Sequence, residues 1–151
     1  MSVGKALKQE SALVAAVHPG KRALRKGDRE RVVESAAVRV IDSLDLDAQT
    51  SAERGNENRW DYLLGTTQSN LPLIAVEVHP ANTGEVKVLI AKKRAAEKVL
   101  RSELKPGATV KRWYWIASGK TVITRNTPES RMLDAAGIRL VGSHLHLERD
   151  S

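Results

Sequence analysis

Leu73-Ile74-Ala75-Val76-Glu77-Val78-His79-Pro80 is the stretch on which the reading of the fold turns. Its β-branched residues alternate, which places Ile74, Val76 and Val78 on one face of a strand. Leu73, Ala75, Glu77 and His79 then share the other face, and Pro80 ends the run. A glutamate in the most apolar strand of the chain is costly to bury, so it needs a partner or a metal.

Working outward, residues 59–65 alternate in the same way. Trp60, Tyr62 and Leu64 lie on one side, Asp61 and Leu63 on the other, and residues 65–70 supply turn chemistry. Downstream, Thr83 is a reasonable cap for a long helix to about Lys105, stopped by Pro106-Gly107. A strand rich in aromatics follows at 110–117, with a short strand expected at 121–124. Thr127-Pro128-Glu129 starts a helix that Gly137 closes, and residues 138–147 return as a strand.

Upstream, Asp28 reads as the cap of a core helix with Val32, Val33, Ala36, Ala37, Val40, Ile41 and Leu44 on its apolar face. Residues 45–58 are polar and read as a loop or a poorly patterned strand. This order predicts an α/β domain with a single mixed central β-sheet flanked by helices.

A chain of 151 residues suits one domain, expected over residues 28–151, and no apolar run is long enough to span a membrane. The short stretch at 12–17 does not read as a signal peptide. With no cysteine there is no disulfide framework, no thiolate zinc site and no Cys nucleophile, and a reducing cytoplasm is the expected location. The net charge of +7 is uneven: residues 1–31 carry eight basic side chains against three acidic ones. Residues 1–27 therefore read as a basic arm, partly helical or mobile, with Lys21, Arg22, Arg25 and Lys26 available to phosphates.

Two carboxylates stand where a plain sheet does not need them, Asp61 between Trp60 and Tyr62 and Glu77 sixteen positions later. Convergent carboxylates with a main-chain oxygen suit a hard cation such as Mg²⁺ or Mn²⁺. Asp61 could equally be an edge-strand acid, and Glu77 half of a buried ion pair. On the long helix Lys93 projects into the apolar face of Val86, Leu89, Ile90, Ala96, Leu100 and Leu104, where it either snorkels out or finds an anion. Lys87, Arg94, Lys98, Arg101 and Lys105 form a separate basic stripe. It could contact nucleic-acid phosphates or be a solvated face. His79 could bind metal, carry a proton or hydrogen-bond Glu77. Glu34, at the edge of the first helix's apolar face, is either solvated or a further site acid.

An acidic helix, a strand bearing Asp, a strand bearing Glu-x-Lys and a following helix are the pattern of the PD-(D/E)XK, or restriction-endonuclease-like, nuclease superfamily. Residues 28–118 resemble it through Glu34, Asp61 and Glu77-Val78-His79. The resemblance implies a restriction-endonuclease-like core (α-β-β-β-α-β) and a Mg²⁺-dependent nuclease. Asp61, Glu77 and the Val78 carbonyl would be the metal ligands. His79 stands in place of the motif lysine, and members that supply the lysine from the next helix make Lys93, in preference to Lys92, its replacement. Other members have lost activity, so the alternative is a catalytically silent nuclease-like fold that binds protein or nucleic acid, for example in a toxin–immunity or phage-defence setting. The chain also resembles a set of small uncharacterised bacterial proteins with a Glu-Val-His-Pro-Ala stretch.

Overall fold

The computed structural model describes residues 1–54, 59–68 and 73–150; the expected loop at 55–58, the turn at 69–70 and Ser151 lie outside the described residues. Helix α1 (Val3–Ala6) and a 3-10 turn (Ala12–Ala16) lead into β1 (His18–Pro19), α2 (Lys26–Arg29) and β2 (Val32–Val33). Then come β3 (Val40–Asp45), α3 (Leu46–Arg54), β4 (Tyr62–Thr66) and β5 (Ile74–His79). A 3-10 turn (Thr83–Glu85) opens α4 (Val86–Glu103), followed by β6 (Arg112–Ala117) and α5 (Pro128–Ala136). The chain closes with β7 (Ile138–Leu140), β8 (Leu145–His146) and α6 (Leu147–Asp150).

The fold is α/β, with a mixed six-stranded sheet in the order β1-β3-β4-β5-β6-β7 and a small parallel pair of β2 and β8. Strands β1 to β5 of the main sheet pair antiparallel, whereas β5, β6 and β7 run parallel. Parallel neighbours require crossovers, and α4 and α5 provide them. Leu63, Ala75, Trp113 and Trp115 bury one sheet face under α1, α4 and α5, with Trp60 edge-on to Trp113 at 5.0 Å. On the other face Tyr62, Leu64, Val76 and Ile116 lie beneath Leu24, Val32, Leu145 and Leu147. Among the described residues no helix is long and apolar enough to cross a membrane.

Five expectations from the sequence are corrected. The helix expected from Asp28 is instead α2, β2 and β3. The reason lies at Ser35, whose hydroxyl accepts the amides of Ala37 and Val38, while its own N–H donates to the Val38 carbonyl at 3.0 Å. That local bonding turns the chain between two β-branched pairs that otherwise mimic a helical stripe. Residues 1–27, expected to be an arm partly helical or mobile, hold α1 and a 3-10 turn and pack into the domain. Val3, Ala6, Leu7 and Leu13 are buried in the main core, and β1 pairs with β3. Residues 138–147 form two short strands rather than one, and 121–124 form none; the polar stretch after Asp45 begins with α3.

Helix α5 follows its local signals, whereas Thr83, expected to cap the long helix, lies inside the 3-10 turn before α4. Thr127 caps α5 by accepting the Ser130 amide, and Gly137 ends it at φ 74°, a left-handed conformation that glycine adopts without strain.

Candidate functional site

Strand β5 delivers Glu77 to the α4 side of the sheet with no exposed surface at all. The β4–β5 ladder runs only from Leu64↔Ile74 to Tyr62↔Val76, so Asp61 leaves the pairing just as it reaches Glu77. Side chains replace the missing rungs: the Asp61 amide donates to Glu77 Oε1 at 2.9 Å, and the Val78 amide to Asp61 Oδ2 at 3.0 Å. The two carboxyls are thereby brought together at the end of β5. In an extended strand the N–H and C=O of one residue point to the same side, so the Val78 carbonyl also turns toward Asp61.

Helix α4 supplies the cation, and it is Lys92 rather than Lys93. Lys92 Nζ lies 2.6 Å from Glu77 Oε2, whereas Lys93 Nζ lies 5.2 Å from the Trp113 ring centroid and 3.3 Å from Glu97. Lys93 sits at the centre of the apolar face, so its ammonium is carried over the indole. Lys92, at the edge of that face, has the line of approach to the strand end. This corrects the preference for Lys93.

His79 extends the cluster. Its Nε2 lies 2.8 Å from Glu85 Oε2, its Nδ1 3.5 Å from Glu77 Oε2, and its carbonyl accepts Trp115 Nε1–H at 2.9 Å. The ring hydrogen bond of His79, expected to go to Glu77, goes to Glu85, which spacing alone did not mark; Glu77 lies at the longer distance on the Nδ1 side.

Glu34 is not part of this cluster. It follows β2 on no helix, and its carboxylate accepts the Val40 amide at 2.9 Å with Lys21 at 3.6 Å, closing the turn before β3. Lys21 also donates to the carbonyls of Arg29 and Val32, a structural task. Arg25 bonds Tyr62 Oη and Asp47 beside the cluster; Arg22 and Lys26 are exposed. Lys87, Arg94, Lys98, Arg101 and Lys105 are all exposed. With Lys92 on Glu77, however, about 100° per residue turns the stripe to the opposite side of α4. Those five cations cannot line a substrate held at Asp61 and Glu77.

Burial pushes the Glu77 carboxyl up to about 8; the Asp61 charge adds to this, and Lys92 opposes it. Burial also raises Asp61, to about 6, against the Val78 amide and the charges of Lys92 and Arg25. Among the described residues Lys92 is the one cation bonded to the pair, so two ionised carboxylates would share a single compensating charge.

Among the described residues no group of three or more His, Asp or Glu side chains converges on a metal-sized point. The donor set is smaller: two carboxylates in mutual repulsion and one backbone carbonyl, which is hard oxygen chemistry suited to Mg²⁺ or Mn²⁺. A divalent cation would offset the burial that raises both acids and the Asp61 charge that adds to it at Glu77. No protein-family model matches the chain, and no curated protein or solved structure shows significant similarity to it.

Proposed function

We propose that the protein is a Mg²⁺-dependent nuclease-like domain that hydrolyses phosphodiester bonds of nucleic acid, with a restriction-endonuclease-like core. One observation carries this reading: the paired, buried Asp61 and Glu77 carboxyls, both raised by burial and Glu77 also by the Asp61 charge, with Lys92 on Glu77. The stretch β4, β5, α4, β6 supports it, although α3 stands between β3 and β4 and, among the described residues, no long core helix precedes β3. Asp61 and Glu77 would hold the metal, with the Val78 carbonyl as a third donor. A bound divalent cation supplies Lewis-acid polarisation of a phosphate and a more acidic water. Lys92 steadies Glu77 in its ionised form and places positive charge where a pentacoordinate phosphate gathers negative charge. His79, held between Glu77 and Glu85, is placed to take up a proton at Nδ1.

The decisive test incubates the full chain with plasmid, single-stranded DNA and RNA, with Mg²⁺ or Mn²⁺. Metal-dependent cleavage should fall by about 10³-fold or more in Asp61→Ala and in Glu77→Ala. Cleavage that is equal in wild type and both variants sinks the site.

A second reading rests on the complete enclosure of Glu77. Both of its oxygens are taken, by the Asp61 amide and by Lys92, so the network is satisfied without metal. It makes the protein a catalytically silent member of the same fold that binds nucleic acid or protein. Tight oligonucleotide binding with no cleavage under any metal selects it.

A further inference from the structure

We infer that the cavity between the N-terminal segment and the carboxyl end of α4 is a binding site for a phosphorylated ligand with an apolar or aromatic body. The cavity measures about 480 Å³, within the range of small-molecule sites. Leu100, Leu104 and Trp113 give it an apolar floor, while Lys8, Arg101 and Lys105 stand at its walls.

These three cations have no acid within ion-pairing distance among the described residues. Glu97, the one acid lining the cavity, is already held by Lys93 at 3.3 Å. Gathering three uncompensated positive charges around one cavity costs mutual repulsion that a bound dianion removes. A phosphoryl group matches this better than a single carboxylate, because it offers more charge and more acceptor oxygens to Arg and Lys.

The walls are preorganised. Leu7 and Leu104 form an isolated antiparallel bridge; the Lys8 amide donates to the Glu103 carbonyl at 2.9 Å, and the Lys105 amide to the Ala6 carbonyl at 2.8 Å. Two of the cations therefore ride on backbone stitched across the cavity, so binding has only their side chains left to order. The site is also separate from the carboxylates: along α4, the axis from Lys92 to Leu100 spans about 12 Å. It gives a role to Arg101 and Lys105, which the geometry removes from any substrate at Asp61 and Glu77.

Calorimetric titration of the full chain tests the inference, with adenosine monophosphate, dodecyl phosphate, adenosine and inorganic phosphate as probes. At least one of the two phosphorylated organic probes should bind about tenfold more tightly than inorganic phosphate, and adenosine should bind weakly or not at all. Which of the two binds better distinguishes a planar body from an acyl one. Arg101→Ala and Lys105→Ala should each weaken that probe by about fivefold to tenfold. Lys87→Ala, on the same stripe but outside the cavity, and Asp61→Asn should leave it unchanged. The inference fails if neither phosphorylated organic probe shows measurable binding, or if inorganic phosphate binds equally well. It fails too if Lys87→Ala weakens binding as much as Lys105→Ala.

Discussion

Asp42 and Asp61 sit on neighbouring strands or their ends and are equally buried, at 8% exposure each, yet they do opposite things. Asp42 accepts the Val3 amide at 2.7 Å on one oxygen and the Gly4 amide at 3.0 Å on the other, so a single charge meets two aligned donors. Asp61 receives one amide on Oδ2 and faces a second carboxyl across the cluster. The first arrangement ties the N-terminus to the sheet; the second stores repulsion at one point. Burial of an acid is thus no sign of function by itself. What separates a structural carboxylate from a candidate catalytic one is whether its company balances its charge.

The largest expected effect breaks the structural side of this contrast. Asp42→Ala leaves the Val3 and Gly4 amides without their charged acceptor and releases Val3, Ala6 and Leu7 from the core. It should cost about 3–4 kcal/mol and lower Tm by roughly 10 °C. Gly65→Ala attacks the same contact from the other side, since a Cβ there would lie 2.5 Å from Asp42 Oδ1 and 2.8 Å from the Met1 carbonyl oxygen. Urea unfolding of both variants is the check, and a loss below about 1 kcal/mol in each would show that the clamp holds nothing.

Next in size is Lys92→Met, which keeps the side-chain length but removes the charge on Glu77. At pH 9.5 it should destabilise by about 2 kcal/mol, because Glu77 is then ionised and has lost its partner, whereas at pH 8 its carboxyl can still keep a proton. At pH 5 Glu77 is neutral and the cost should shrink to under about 1 kcal/mol. Equal costs at the two pH values would mean that Lys92 packs rather than pairs.

The functional side of the contrast predicts its own pH dependence. Both site acids are raised in the folded protein, so the fold keeps protons that the unfolded chain has already released above its ordinary carboxylate range. Their contribution to stability is fullest at low pH. It is lost as pH climbs toward about 6 for Asp61 and about 8 for Glu77. Asp61→Asn should therefore stabilise the metal-free protein at pH 8 by about 1–2 kcal/mol and flatten the fall in Tm between pH 5 and 8. Millimolar Mg²⁺ or Mn²⁺ should raise the Tm of wild type at pH 8 but not that of Asp61→Asn. Asp42→Asn should give no such gain, and a gain there would erase the distinction between the two acids.

The same contrast explains what the sequence could reveal. Glu77 stood out because an apolar β run has no use for it, and Asp61 because it alternates out of phase with Tyr62 and Leu64. Helix α5 and strand β5 were equally readable: Pro128 after Thr127, Gly137 and the β-branched run at 74–78 are local signals, and local interactions decide those elements. The N-terminal half was not, because its order comes from contacts between residues far apart in the chain. Val3 reaches Asp42 across thirty-nine positions, and Glu34 reaches Val40 only after Ser35 has turned the chain. Asp42 drew no notice in the sequence, since nothing nearby marks a clamp whose donors lie at the other end of the segment. Glu85 was silent for a similar reason: its role depends on where a 3-10 turn places it beside His79.

The smallest effect separates the two adjacent lysines, which a helical wheel alone ranked the other way. Lys93→Ala removes an ammonium 5.2 Å from the Trp113 ring centroid and an i,i+4 pair with an intermediate-exposure glutamate. The first is worth about 1 kcal/mol and the second a few tenths, so a loss of about 1 kcal/mol is expected. Neither interaction touches Asp61 or Glu77, so the loss should not follow the pH dependence expected of Lys92→Met. Metal-dependent cleavage should survive it within about threefold, whereas Lys92→Met should reduce cleavage by about a hundredfold or more. If Lys93→Ala instead shows the pH-dependent cost and the loss of cleavage, the central lysine reaches Glu77 in solution. The assignment of Lys92 to the site would then be reversed.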